Sequence, residues 1–225
     1  MRHRIGRIFL MLGILCLVAA VALLAYNYWD DWRAGQSVAD IQDALEEAKK
    51  SRDAEKLAGL SQTKADKDIA MDADAAAAED ETSNEGNTDT SMATVEIDGY
   101  EYIGTLSIPG YGLELPIMAE WNYPGLRIAP ARYCGSIWND DLVICGHNYE
   151  RHFGNLKNLE EGDSITFKDV DGNVFVYEVK EVVILQPTAV EEMISREAGE
   201  WDLTLFTCTL GGQTRVTVRC VRIKE

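Results

Sequence analysis

The chain has three histidines, five prolines and 21 basic residues against 38 acidic ones, so positive charge is scarce throughout its 225 residues. The net charge is −17, and no nucleic acid partner is expected. The cysteines, Cys16, Cys134, Cys145, Cys208 and Cys220, lack the close paired spacing of zinc ligands. With only His3, His147 and His152 to add to them, neither a metal site nor any other cofactor is expected. There is no glycine-rich phosphate loop of the P-loop or dinucleotide type, and no internal repeat.

Long apolar runs are also rare, with one exception. "IFLMLGILCLVAAVALLAY", from Ile8 to Tyr26, is uncharged and close to the roughly 20 residues that a bilayer-crossing helix needs. Arg2, Arg4 and Arg7 precede it and Asp30 and Asp31 follow, so the positive-inside rule puts residues 1–7 in the cytoplasm and the rest of the chain outside. Tyr26, Tyr28, Trp29 and Trp32 suit an interfacial aromatic belt. The span is read as an anchor over 8–28. A cleaved signal peptide is the alternative, although its apolar core is typically only about 7–15 residues.

Residues 29–94 read as an extracellular linker. Ser37 is a candidate cap for a short helix in which Val38, Ile41 and Leu45 recur at helical spacing. Beyond it, Asp66 to Asp98 holds eleven acids against one lysine and no aromatic residue, the composition of a disordered spacer. Most of the net charge lies there, so the low pI says little about the surface of the folded part. As a coil, this linker would reach roughly 45 Å on average.

Residues 95–225 form the one folded domain. "YEYIGTLSI", "LELPIM", "DLVICGH", "DSITFKD", "VFVYEVKEVVIL", "DLTLFTC" and "RVTVRCVRI" read as strands, separated by turn pairs such as Pro109-Gly110 and Asp171-Gly172. "TAVEEMISREA", Thr188 to Ala198, reads as a helix. Many short strands and few helices predict an all-β barrel or sandwich.

Within "TLFTCTLGGQTRVTVRC", Gly211-Gly212 is a hairpin signal. With those two residues as the turn, Thr209 faces Thr214, Cys208 faces Arg215 and Arg219 faces Thr204. The Cys208 sulfur and the Arg215 guanidinium then leave one face of the sheet from Cβ atoms roughly 5 Å apart. A buried structural thiol gains little from such a neighbour, which favours a nucleophile. Thr207 points to the opposite face, so only its backbone is expected to help. His147, in "ICGHNYERHFGNL", sits where a strand gives way to a loop, a position from which a rigid scaffold presents chemistry. His152 reads as a polar surface residue. A Cys134–Cys145 bridge is conceivable across a hairpin; Cys208, as nucleophile, must stay free.

"YIGTLSIPGYGLELPI", "GSIWNDDLVICGHN", "FGNLKNLEEGDSITF" and "LTLFTCTLGGQTRVTVR" resemble successive blocks of the sortases, cysteine transpeptidases of the Gram-positive cell surface. The likeness runs from Tyr100 to the end. It implies a closed eight-stranded β-barrel, a single N-terminal anchor, and His147, Cys208 and Arg215 as catalytic residues. It also implies a secreted substrate protein with a C-terminal sorting motif of the LPXTG or NPQTN kind and an amine acceptor in the cell wall. No aspartate-aromatic lid segment is evident before the barrel and no second apolar span follows Ile223, which argues against a pilus-polymerising type and for class B or D. Two other functions are kept open: a cysteine peptidase that only hydrolyses, and a non-catalytic surface β-barrel that binds.

Overall fold

A computed structural model describes residues 2–67, 92–194 and 200–224. Helix α1 runs unbroken from Arg2 to Lys67, 66 residues, or roughly 100 Å at 1.5 Å per residue. It joins the apolar run to the helical stretch that the sequence sets apart. Ser37 caps nothing: its hydroxyl donates back to the Arg33 carbonyl at 3.2 Å, one turn earlier. No proline interrupts α1, and each of its four glycines, Gly6, Gly13, Gly35 and Gly59, costs a helix only about 1 kcal/mol. Gly35 is also where the Arg151 side chain crosses the helix, and a Cβ there would collide with it. Among the described residues one helix, within Leu10–Arg52, is long and apolar enough to cross a membrane, and its apolar window is buried by no other part of the chain. Most of the expected disordered spacer, residues 68–91, lies outside the described residues.

The strands are β1 (Val95–Ile97), β2 (Tyr100–Ile108), β3 (Leu113–Met118), β4 (Ala131–Cys134), β5 (Leu142–Gly146), β6 (Ser164–Asp169), β7 (Val174–Leu185), β8 (Leu203–Cys208) and β9 (Arg215–Arg222). They form one mixed sheet in the order β1-β2-β3-β4-β5-β8-β9-β7-β6, closed by pairing of β2 with β6. Eight strands complete the ring, as expected, and the short β1 occupies the part of the β2 edge that β6 leaves free. The change of partner falls at Gly104, beside a bulge in the β2–β3 register. A Cβ at Gly104 would strike the Lys168 carbonyl of β6, so closure depends on a residue without one.

Alternation sets the faces. In β6 and the first half of β7, Ile165, Phe167, Phe175, Tyr177 and Val179 turn inward while Ser164, Lys168, Val174, Val176 and Glu178 stay exposed. The interior also takes Ile103, Ile117, Ile144, Leu205, Val218 and Cys220, each large apolar side chain contributing about 1.5–3 kcal/mol on burial. A second cluster lies outside the ring, where Ile41 and Leu45 of α1 join Tyr102, Met118, Ala131, Cys145 and Val170. Val38, Ile41 and Leu45 thus use the spacing seen in the sequence to dock α1 on the barrel. The helix expected over 188–198 is observed as α2, Val190–Ile194; residues 195–199 lie outside the described residues.

Candidate active site

Two parallel strands end side by side. β5 pairs with β8 in a register that sets Cys145 beside Phe206 and Gly146 beside Thr207. The next residue on each chain is His147 on one and Cys208 on the other, so the half-buried imidazole and the half-buried thiol emerge from neighbouring strand ends. Period-2 alternation places Cys145, Phe206, Cys208 and His147 on the outer face, while Leu203, Leu205 and Thr207 point into the barrel.

The backbone under His147 is held from three directions. Thr207 Oγ1 donates to the Gly146 carbonyl at 2.8 Å in a buried setting. Gly146 itself lies against the Phe153 ring, which comes within 2.8 Å of where a Cβ would stand. The His147 carbonyl accepts the Phe153 N–H at 3.1 Å, and the Tyr149 carbonyl accepts those of His152 and Gly154 at 3.0 and 2.8 Å. Thr207 thus acts through more than its backbone, as its side chain locks the strand end that carries the imidazole.

The hairpin register is the one expected, with Cys208 opposite Arg215 and Thr204 opposite Arg219. Thr209 and Thr214 close it through a backbone bond of 3.0 Å and paired hydroxyls at 2.9 Å. Gly211 and Gly212 take φ of 83° and 73°, which side chains with a Cβ rarely adopt. The Arg215 guanidinium donates to the Gly212 and Thr214 carbonyls at 3.0 and 3.1 Å, so it rests on the hairpin loop. Arg219 is differently employed: it pairs with Glu181 at 2.7 Å, donates to the Glu192 carbonyl at 2.7 Å and lies 4.2 Å over the Trp201 ring.

His152 is not a surface residue. It is fully buried under α1, its ring nitrogens lack hydrogen-bond partners, and the Ala34 and Ile128 carbonyls come near without bonding geometry. Burial, with the neighbouring His147 adding to it, brings its pKa down to about 4. Its ring meets Tyr149 at 5.3 Å, and Tyr149 meets His147 at 5.1 Å. The Tyr149 hydroxyl donates to Asp30 of α1 at 2.6 Å, a bond that helps hold the Asp30 carboxyl below its usual range. Burial and that carboxylate push the phenol up to about 12. His147 is also held below the ordinary histidine value, first by burial and then by the Arg127 charge, with Asp30 opposing. Asp30 of α1 therefore stands beside this loop.

The other thiols differ in kind. Cys134 and Cys145 are free, so the conceivable bridge is absent; Cys134 pairs with Val143, not with Cys145. Burial pushes Cys145 up to about 12 and raises Cys134 and the core residue Cys220 as well. From Cys208 an aromatic row leads outward through Phe206, Tyr133 and Trp121, at centroid spacings of 5.3 and 5.7 Å. A thiol, a titratable imidazole and a permanent cation around one strand end are the parts that acyl transfer through a covalent thioester requires.

Comparison with known proteins gives the same direction. The profile of the sortase domain matches residues 106–223. Sortase A of Bacillus anthracis is 27% identical over 122 residues, 52% of this chain, and the chain spans 57% of that relative's length. Among solved structures, sortase C1 of Streptococcus agalactiae aligns with a TM-score of 0.50 and 25% identity, over 58% of this chain and 72% of that one. Sortase C of Streptococcus pneumoniae aligns with a TM-score of 0.51 and 24% identity, over 58% and 69%.

Proposed function

This chain belongs to the sortase family, and from that premise we propose that it is a membrane-anchored cysteine transpeptidase. The Cys208 thiolate attacks the carbonyl of the threonine in a sorting motif of the LPXTG or NPQTN kind. The C–N bond breaks, the sulfur keeps the acyl group as a thioester, and protonated His147 gives its proton to the departing amine. A cell-wall amine then attacks the thioester, returns a proton to His147 and releases the thiolate. Arg215 supplies a charge that it does not lose at any working pH, for the oxyanion or for the peptide. One observation carries this reading: the Gly146–Thr207 and Cys208–Arg215 registers deliver all three residues to one strand end.

The relatives named above are of the A and C kinds, so the class B or D assignment expected from the sequence draws no support from them. For topology we propose residues 1–7 in the cytoplasm, an anchor over 8–28, a linker over 29–94 and the catalytic domain, 95–225, outside. Within that linker, Ala34, Val38, Ile41 and Leu45 serve as a docking face.

The test is mass spectrometry of the full chain with a panel of motif peptides, with and without an amine acceptor. Wild type should give the amine-linked product and Cys208→Ala none. Acid product alone in the presence of acceptor would mean a hydrolytic peptidase; no turnover of any peptide would favour a binding module.

A further inference from the structure

α1 and the barrel enclose a cleft of about 550 Å³ between the end of the apolar run and the turn after β3. Its walls include Tyr26, Trp29 and Arg33 from the helix, with Tyr100, Tyr123 and Arg127 from the barrel. The depth of this cleft follows from the helix. Ile8 to Tyr26 is 19 residues, roughly 28 Å of helix, which matches a hydrocarbon core of about 30 Å. Asp30 lies four residues further on, about 6 Å along the axis, within a headgroup layer of roughly 5–7 Å on each side. The cleft therefore opens at the level of the lipid phosphates. Its exposed rim residues Tyr123, Trp29 and Tyr26 are of the type that settles at that level.

The charges are unevenly satisfied. Arg33 is tied to Asp30 by a 3.0 Å ion pair, and Asp30 also accepts from Tyr149. Arg127 is exposed, and its guanidinium makes no hydrogen bond or ion pair among the described residues, although its charge reaches Asp30 in the same cleft. Its backbone is nevertheless fixed: the Gly125 N–H donates to Asn122 Oδ1 at 2.7 Å, and the N–H of Ile128 closes on the Gly125 carbonyl at 2.7 Å. A guanidinium without an ion-pair partner, carried on a fixed backbone turn in an aromatic-walled cleft, is a receptor for one negative charge. In a chain whose net charge of −17 repels anionic surfaces, it is a local exception at the lipid boundary.

We infer that this cleft binds the headgroup of an anionic membrane phospholipid, with Arg127 holding the phosphate and Tyr123, Trp29 and Tyr26 lying against the glycerol and upper acyl region. The inference rests on the anchored topology proposed above. It goes beyond catalysis, because Arg127 touches no reacting atom in the acyl transfer described, although its charge reaches His147.

The full chain, purified in detergent with mixed phosphatidylglycerol and phosphatidylcholine, tests it by native mass spectrometry. Wild type should retain phosphatidylglycerol preferentially, and Arg127→Ala and Arg127→Gln should lose it by roughly tenfold or more, the scale of a lost charge-assisted bond. Arg127→Lys should fall between. Melting of the three variants should match wild type, since Arg127 supports nothing structural. Soluble glycerol phosphate at the same concentration should not compete. Unchanged lipid retention by Arg127→Ala, or equal retention of phosphatidylcholine, overturns the proposal, and effective competition by glycerol phosphate would mean a soluble-phosphate site. Vesicle flotation of every variant separates the two readings: loss of flotation, wild type included, refutes the anchor, whereas flotation without lipid selectivity refutes the site alone.

Discussion

Thr207→Val and Thr217→Val exchange hydroxyl for methyl on two adjacent strands, and they should move stability in opposite directions. Thr207 Oγ1 makes a buried 2.8 Å bond to the Gly146 carbonyl. Valine fits an extended backbone equally well, so the change deletes that bond and leaves a buried acceptor short of a donor, at about 1–3 kcal/mol. Thr217 is fully buried and its Oγ1 has no partner among the described residues. A methyl there removes an uncompensated polar atom, a gain of about 1 kcal/mol or more. For a domain of this size each kcal/mol corresponds to roughly 3–5 °C, so the midpoints should lie about 6 °C or more apart with wild type between them. Tryptophan fluorescence melting of the full chain in detergent measures this. Thr207→Val should also lower kcat with little change in KM, because it loosens the strand end beneath His147 and leaves the outer face alone. A Thr207→Val midpoint at or above wild type, or a Thr217→Val midpoint below it, would refute the reasoning.

His147→Ala should reduce kcat by about 10²–10⁴-fold, the loss of a general acid–base, which peptide turnover measures. His152 is held neutral by burial with its folded pKa depressed to about 4. The unfolded chain therefore takes up a proton that the fold refuses as pH falls below about 6.5, and stability should decline by up to about 1.4 kcal/mol per pH unit towards pH 4. His152→Phe should flatten that decline in melting curves, and an equal slope in both proteins would contradict it. Arg215→Ala should cost about 10²–10³-fold in kcat, and Arg215→Lys should restore little because the planar fork is lost. Arg219→Ala should lower the melting temperature instead, by removing the contacts with Glu181, Glu192 and Trp201; a larger kcat loss at Arg219 would reverse the two roles. On intact cells, an impermeant thiol reagent should modify a cysteine introduced at Asn87 and not one at His3, and the reverse pattern would put the catalytic domain in the cytoplasm.

Seven of the nine strands were legible because alternation and turn residues act locally, and β2, β3 and β7 coincide with their sequence runs. β1 and β4 were not. β4 is four residues long with Arg132 inside it, and it is held by one parallel bridge to β3 and a bulged pairing with β5, which are long-range matters. The Cys208–Arg215 register was legible because two glycines fix a hairpin by backbone conformation alone. The neighbourhood of His147 was not. Tyr149 meets Asp30 across 119 positions of sequence, and His152 is buried by a helix that the sequence presents as part of a linker. Ser37 misled for a related reason: a cap residue is also a tolerable helix interior residue when its hydroxyl can turn back one turn.

An unbroken α1 changes how the enzyme searches for its partners. A barrel on a 45 Å coil would sweep a hemisphere, meeting peptides at any height and in any orientation. Asp30 and Asp31, held by Tyr149 and Arg151, join the helix to the loop that follows His147, so the barrel does not swing independently of the helix. With the anchor proposed above, lateral diffusion in the bilayer plane and rotation about its normal would be the main freedoms left. Encounter then becomes a two-dimensional problem in which a scissile bond presented at one fixed altitude is met often, and one presented a few nanometres higher is not met at all.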